Sequence, residues 1–152
     1  MIVYRLGKQA FINDLSGYGA EKTGGRWNSK GFPVLYTAAS RALAVVEVAV
    51  HVPLGIVPVN YHLATIYAPD NDILTVNVDD LPAKWATNPF IRDTQAIGNQ
   101  FIRNCSHLVL QVPSASVPGD HNYLINPRHP DFNKVKIKSI AAFVFDIRLF
   151  KK

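Results

Sequence analysis

The chain has 152 residues, of which 48% are hydrophobic and 18% charged, and a formal net charge of +5 with a sequence pI near 9.4. That length suits one domain with a real core, the composition excludes a disordered chain, and no apolar run reaches the roughly 18 residues a membrane helix needs. The basic residues form no dense run, so the charge leaves open a nucleic acid, an anionic nucleotide or an acidic protein as partner.

Residues 2–6 read as a short strand, and residues 1–6 are too short an apolar stretch for a secretion signal, so the cytoplasm is the expected compartment. Residues 7–30 are polar and carry Gly17, Gly19, Gly24 and Gly25. They read as a long loop with one turn of helix at most, and loops of that length in a compact domain usually serve function. Residues 34–37 are apolar and β-favouring. Ser40 is placed to cap a helix over residues 41–51, which Pro53 and Gly55 close. Residues 56–67 read as a strand in which Pro58 argues for an edge or a bulge. After the turn Pro69-Asp70-Asn71-Asp72, residues 73–78 alternate as its partner. Residues 90–104 read as a second helix, with Ile91, Ile97, Phe101 and Ile102 at roughly helical spacing and Gly98 against it. Cys105, the only cysteine, reads as a small residue near that helix end, with a catalytic thiol as the alternative. Residues 107–112 read as a buried strand ended by Pro113. Residues 134–138 and 141–149 read as closing strands, the latter apolar enough for the sheet centre. The expectation is an α+β fold, one domain over residues 1–152, with a central mixed sheet flanked by two main helices.

The helix over residues 41–51 is apolar nearly all round, which predicts burial. Ala42, Val46, Ala49 and Val50 form one face, and Val45 and Val48 widen it. Glu47 is its only acidic residue. A carboxylate there is costly unless paired, hydrogen-bonded or opened to a cleft. It lies either on a solvated strip beside His51 or in a site.

Residues 23–28 read Thr-Gly-Gly-Arg-Trp-Asn. Gly24 and Gly25 allow close approach of backbone to a ligand. Arg26 offers a planar fork that matches a phosphate or pyrophosphate, and Trp27 can wall a pocket. A surface turn with a solvated Arg and a packed Trp is the plainer alternative. The order of loop, strand and helix would bring Arg26, Tyr36 and Glu47 to one sheet edge. Such a set suits cleavage of a nicotinamide N-glycosidic bond. The arginine holds pyrophosphate, the ring stacks on nicotinamide, and the carboxylate stabilises the oxocarbenium-like ribose.

Gly24-Gly25-Arg26-Trp27-Asn28, Gly31, Leu35-Tyr36-Thr37-Ala38 and Ala44-Val45-Val46-Glu47-Val48 resemble the opening signature of RES-domain proteins. Val112-Pro113-Ser114-Ala115, Asn122-Tyr123-Leu124-Ile125-Asn126-Pro127 and His129-Pro130-Asp131-Phe132 resemble the closing one. The resemblance covers most of the chain, and Arg26, Glu47 and Ser114 match the three residues that give the family its name. It implies an ADP-ribosyltransferase-like fold, with NAD⁺ bound as substrate and neither cofactor nor metal. It also implies a toxin of a toxin–antitoxin system that arrests growth by depleting NAD⁺, or in some members ADP-ribosylates a protein. A cognate Xre-type antitoxin would occlude the cleft and carry any contact with nucleic acid; self-association is compatible with the resemblance, and no membrane partner is implied.

Carried over to these residues, Arg26 grips the pyrophosphate, Tyr36 packs on nicotinamide or ribose, and Glu47 bonds the ribose. Ser114 orients the ribose or the amide, and Gly25, Trp27 and Asn122 line the site. Ser114 also fits a plain turn, and Asn122 a brace for loop backbone. Two residues before Glu47 stands Val45, where many enzymes that modify protein arginines carry a second Glu or Gln, which favours a small acceptor over a protein. No Gly-x-Gly-x-x-Gly follows a strand, which argues against a hydride-transfer site.

Three other readings stay open. His121, His129, Asp120 and Asp131 would serve a metal hydrolase, but their spacing matches no standard zinc pattern. Trp27, Tyr36 and Arg26 would serve a ribonuclease or RNA-binding surface with strongly salt-dependent binding. An interaction module without catalysis would be indifferent to Arg26.

Overall fold

The computed structural model describes residues 1–151. Among them seven strands form one mixed sheet: β1 (Ile2–Lys8), β2 (Leu35–Ala38), β3 (Tyr61–Tyr67), β4 (Ile73–Thr75), β5 (Val109–Pro113), β6 (His121–Ile125) and β7 (Lys136–Phe143). Their spatial order is β4-β5-β6-β2-β1-β3-β7. Every neighbouring pair is antiparallel except β4 with β5. The helices are the short α1 (Tyr18–Thr23), α2 (Arg41–Ala49) and α3 (Arg92–Asn104), and none is long and apolar enough to cross a membrane.

Alternation along the strands sends successive side chains to opposite faces. Val3, Leu35, Ala64, Ile66, Val109 and Ile125 pack together on one face. The other face carries two separate clusters. Phe101 and Ile102 of α3 pack there with Trp27, Leu110, Val112 and Leu124. Leu43 and Ala44 of α2 pack with Leu6, Ala38, Phe145 and Phe150. The sheet thus serves as a rigid floor between two helical walls.

Ser40 caps α2 as its position in the sequence predicts, its hydroxyl accepting from the Leu43 N–H at 3.0 Å. The burial expected of α2 is only partly realised. Leu43 and Ala44 are buried, the next five residues are half-buried, and Val50 is 57% exposed. The helix touches the sheet along one stripe and leaves the opposite side to solvent.

Four strand expectations change. The third strand begins at Tyr61, so Pro58 lies outside it, and β3 is flanked on both sides by β1 and β7. With both edges of β3 taken, residues 73–75 cannot pair with it as a hairpin and instead lie parallel to β5. Residues 136–143 form a single strand at the sheet edge in place of the two closing strands. The apolar run after it turns away: Val144 is 90% exposed, while Phe145 is buried edge-on against Phe143, Phe150 and Tyr61 at 5.0–5.5 Å. An aromatic cluster has taken the side chains that local pattern assigns to a central strand. The fourth change is β6, which has no alternating pattern to betray it; it is held by pairing with both β5 and β2.

In α3 the buried positions are Thr94, Gly98, Phe101 and Ile102, a helical spacing in which Gly98 is required. A Cβ at Gly98 would lie 1.6 Å from the Trp27 carbonyl oxygen. Gly98→Ala is therefore expected to lower stability by about 1–3 kcal/mol or more through overpacking, read as a fall of several degrees in Tm. Gly19→Ala, whose Cβ would meet nothing within 4 Å, should leave Tm unchanged or slightly raised.

Candidate active site

The loop carrying Arg26 is a tight turn closed on itself. The Gly25 N–H donates to the Asn28 carbonyl at 2.8 Å, and Gly25 and Asn28 form an isolated bridge. Asn28 is fully buried. Its Nδ2 donates to the carbonyls of Ala20 and Phe32 at 2.8 and 2.9 Å, and its Oδ1 accepts from the Tyr36 hydroxyl at 2.8 Å. The same phenol oxygen accepts from the Trp27 N–H at 3.1 Å. From the far side, α3 clasps the turn. Gln95 Nε2 donates to the carbonyls of Gly25 and Asn28 at 3.0 and 3.1 Å, and Asn99 exchanges bonds with Ser29 at 2.9 Å.

Arg26 leaves this turn with Nη1 donating to the carbonyls of Trp85 and Thr87, at 2.7 and 3.0 Å. Burial pulls the guanidinium below its ordinary value, while attraction to Glu47 and Tyr36 works against that shift. Burial also pushes the Tyr36 phenol well above its usual range, with the Trp27 N–H and Arg26 opposing.

Glu47 sits on α2 in a cradle built by the β5–β6 connection and the start of β6. Its Oε1 accepts from the Ser114 hydroxyl at 2.8 Å and from Asn122 Nδ2 at 2.6 Å, and its Oε2 accepts from the Ser116 hydroxyl at 3.2 Å. Ser114 Oγ in turn accepts the N–H groups of Ser116 and Val117 at 3.1 and 3.0 Å, so one hydroxyl both shapes the turn and holds the carboxylate.

Between these two assemblies lies a hollow of about 720 Å³ on the sheet floor. Arg26 and Glu47 both line it, and no ion pair joins them among the described residues. A guanidinium and a carboxylate that attract without touching leave room for a ligand carrying both an anionic and a cationic group.

The structure brings Gly25, Arg26, Trp27, Tyr36, Glu47 and Asn122 to this hollow. It corrects several individual roles. Ser114, 3% exposed, lies behind Glu47 and does not line the hollow. Trp27 is a core residue, 6.2 Å from Trp85 between ring centroids, and contributes only part of the wall. The missing side chain of Gly25 makes room for the Tyr36 hydroxyl, which would lie 2.8 Å from a Cβ there. The alternative metal set does not gather: no three His, Cys, Asp or Glu side chains converge among the described residues, and Asp131 pairs with Lys134 at 2.8 Å.

The RES domain matches residues 2–146. The chain belongs to the RES-domain family. Among RES-domain relatives, a protein from Pseudomonas putida named Toxin Res is 41% identical over 155 residues, covering 99% of this chain and all of its own. The Prs ADP-ribosylating toxin of a Sphingobium species is 39% identical over 143 residues, covering 92% of this chain and 89% of its own. In fold the chain is similar to a crystal structure of the M. tuberculosis MbcT–MbcA toxin–antitoxin complex, with a TM-score of 0.75 and 22% identity over 94% of this chain and 84% of that one.

Sequence reasoning missed Ser116, Arg5, Gln95 and Asn99. Ser116 was findable, since a Ser-Ala-Ser run after a strand-ending proline reads as a hydroxyl-capped turn. Arg5 of β1 borders the hollow, but its guanidinium is turned to the face of the sheet that carries Val3 and is anchored on the carbonyls of Ile12 and Asp14. Because Tyr36 satisfies two buried partners at once, Tyr36→Phe is expected to cost about 1–3 kcal/mol. Chemical denaturation should show the midpoint falling with the slope unchanged.

Proposed function

We propose that this chain is the toxin of a toxin–antitoxin pair and cleaves NAD⁺ between nicotinamide and ribose. The observation that carries the reading is the Glu47 carboxylate, held by Ser114, Ser116 and Asn122 and facing Arg26 across one hollow. Membership of the RES-domain family and the names of its toxin relatives support it.

The pyrophosphate of NAD⁺ meets Arg26, whose planar guanidinium suits a bidentate phosphate contact. The nicotinamide ribose lies toward Glu47, and the Tyr36 ring packs beside the nicotinamide. As the C1′–N bond breaks, its electron pair leaves with nicotinamide, which departs neutral. Positive charge then grows on the ribose, where a fixed carboxylate stabilises it more than in the ground state. An acceptor oxygen bonds to C1′; with water the products are nicotinamide, ADP-ribose and a proton. Ser114 acts through Glu47, keeping the carboxylate aimed. No cofactor is needed, because NAD⁺ is the substrate.

Val45, two residues before Glu47, packs half-buried beside the aromatic cluster and offers no second carboxylate, so a small acceptor is favoured. Transfer to a protein is the second reading, favoured by the name of the Sphingobium relative. An Xre-type antitoxin that covers the hollow fits the exposed apolar side chains of Val50 and Phe90, 57% and 42% exposed, at its rim. Acting on the NAD⁺ pool implies a cytoplasmic site of action.

Purified protein incubated with NAD⁺ should release nicotinamide, measured with and without phosphate and with product analysis. Arg26→Ala and Glu47→Ala should each lose about a hundredfold or more in rate. Ser114→Ala should lose roughly tenfold, since Asn122 and Ser116 still hold Glu47. Full activity in folded Arg26→Ala and Glu47→Ala would overturn the reading, and ADP-ribose found on protein in place of free product would favour the second.

A further inference from the structure

Resting on the reading above, we infer that His51 is the base that removes the proton from the attacking water. Hydrolysis of the C1′–N bond releases one proton in balance. Nicotinamide leaves with the bonding electron pair and needs no proton, while the water that bonds to C1′ must lose one. Some group at the hollow has to take it.

Glu47 is poorly placed to do so. Its Oε1 already accepts two hydrogen bonds and its Oε2 one, and the carboxylate is committed to the positive charge on the ribose. The other titratable groups that line the hollow are Tyr4 and Arg5 from β1, Arg26 from the glycine turn, Tyr36 from β2, and His51. The guanidinium groups stay protonated, and Tyr36 spends its hydroxyl on Asn28 and Trp27. The Tyr4 ring lies under Arg41, which stands 5.4 Å from its centroid. The segments at 86–90 and 113–122 present no titratable side chain to the hollow. His51 alone among them offers a ring nitrogen lone pair that can take up a proton.

Its position follows from the helix. Ala44, Glu47, Val48 and His51 all line the hollow, which is the spacing of one helical face. His51 stands one turn beyond Glu47, where the chain leaves α2 with its N–H on the Val48 carbonyl at 3.1 Å. It is exposed, so a proton taken from water passes on to bulk solvent. The O–C1′ bond forms as the water proton moves to a ring nitrogen, and the imidazolium then gives it up to solvent.

The test is nicotinamide release in phosphate-free buffer across a pH series, for the unaltered chain and for His51→Gln, with folding of the variant checked by thermal melting. In the unaltered chain kcat/KM should rise with pH as the base loses its proton and then level off. His51→Gln should lack that rise and lose about a hundredfold or more in kcat, with KM for NAD⁺ little changed. Added imidazole should restore release in His51→Ala and fail to do so in Glu47→Ala. A pH rise that persists in His51→Gln, or a loss carried wholly by KM, overturns the role of His51 alone. Absence of release by the unaltered chain overturns the NAD⁺ reading on which it rests.

Discussion

The placement of Arg26 depends on a contact in which a helix has no side chain. At Gly98, α3 meets the Trp27 carbonyl so closely that a Cβ would fall 1.6 Å from its oxygen. That approach lets Gln95 and Asn99, on neighbouring turns of the same helix face, reach the backbone of Gly25, Asn28 and Ser29. A turn rich in glycine would otherwise sample many conformations. Here its shape is set from outside by α3 and from inside by Asn28 and Tyr36, so Arg26 starts from a fixed point. Preorganisation of this kind lets a guanidinium act without reorganisation cost when charge develops in the site.

The carboxylate is fixed by a different device. Glu47 belongs to α2, but its three donors come from the β5–β6 connection and the start of β6, 67 to 75 residues away in sequence. The helix supplies the charge and the sheet supplies its aim. Since Arg26 is anchored through α3 and Glu47 through α2, the width of the hollow is the separation of two walls packed on one sheet. The strands between them lie in the order β6, β2, β1, with β2 paired along its whole length to β6 and meeting β1 only at Ala38 and Tyr4.

What the sequence made legible was local. Ser40 as a cap and the helical extent of α2 and α3 depend on residues within a few positions of one another. The glycine–arginine turn and Glu47 stood out as candidate site residues for the same reason: their chemistry is odd where they occur. The long-range choices were not legible. Nothing near residues 73–75 announces that both edges of β3 are already occupied, and nothing near Phe145 announces the aromatic partners that draw it out of the sheet. Ser114 was found, but its place behind the carboxylate depends on where α2 crosses the sheet. The Gly98 pattern misled in a useful way, since a residue that disfavours an isolated helix is the one that lets this helix pack.

Arg26 is steadied at its tip by the carbonyl oxygens of Trp85 and Thr87, and those atoms are present whatever the side chain. The irregular stretch between β4 and α3 therefore steadies Arg26 through its path, while the Trp85 side chain packs on Trp27 and that of Phe90 lines the hollow. For the hold on Arg26 itself, the side chain at Thr87 can change while the course of the main chain stays constrained. A segment that looks expendable when letters are compared is in this way a wall whose loss or relocation would let the guanidinium swing free.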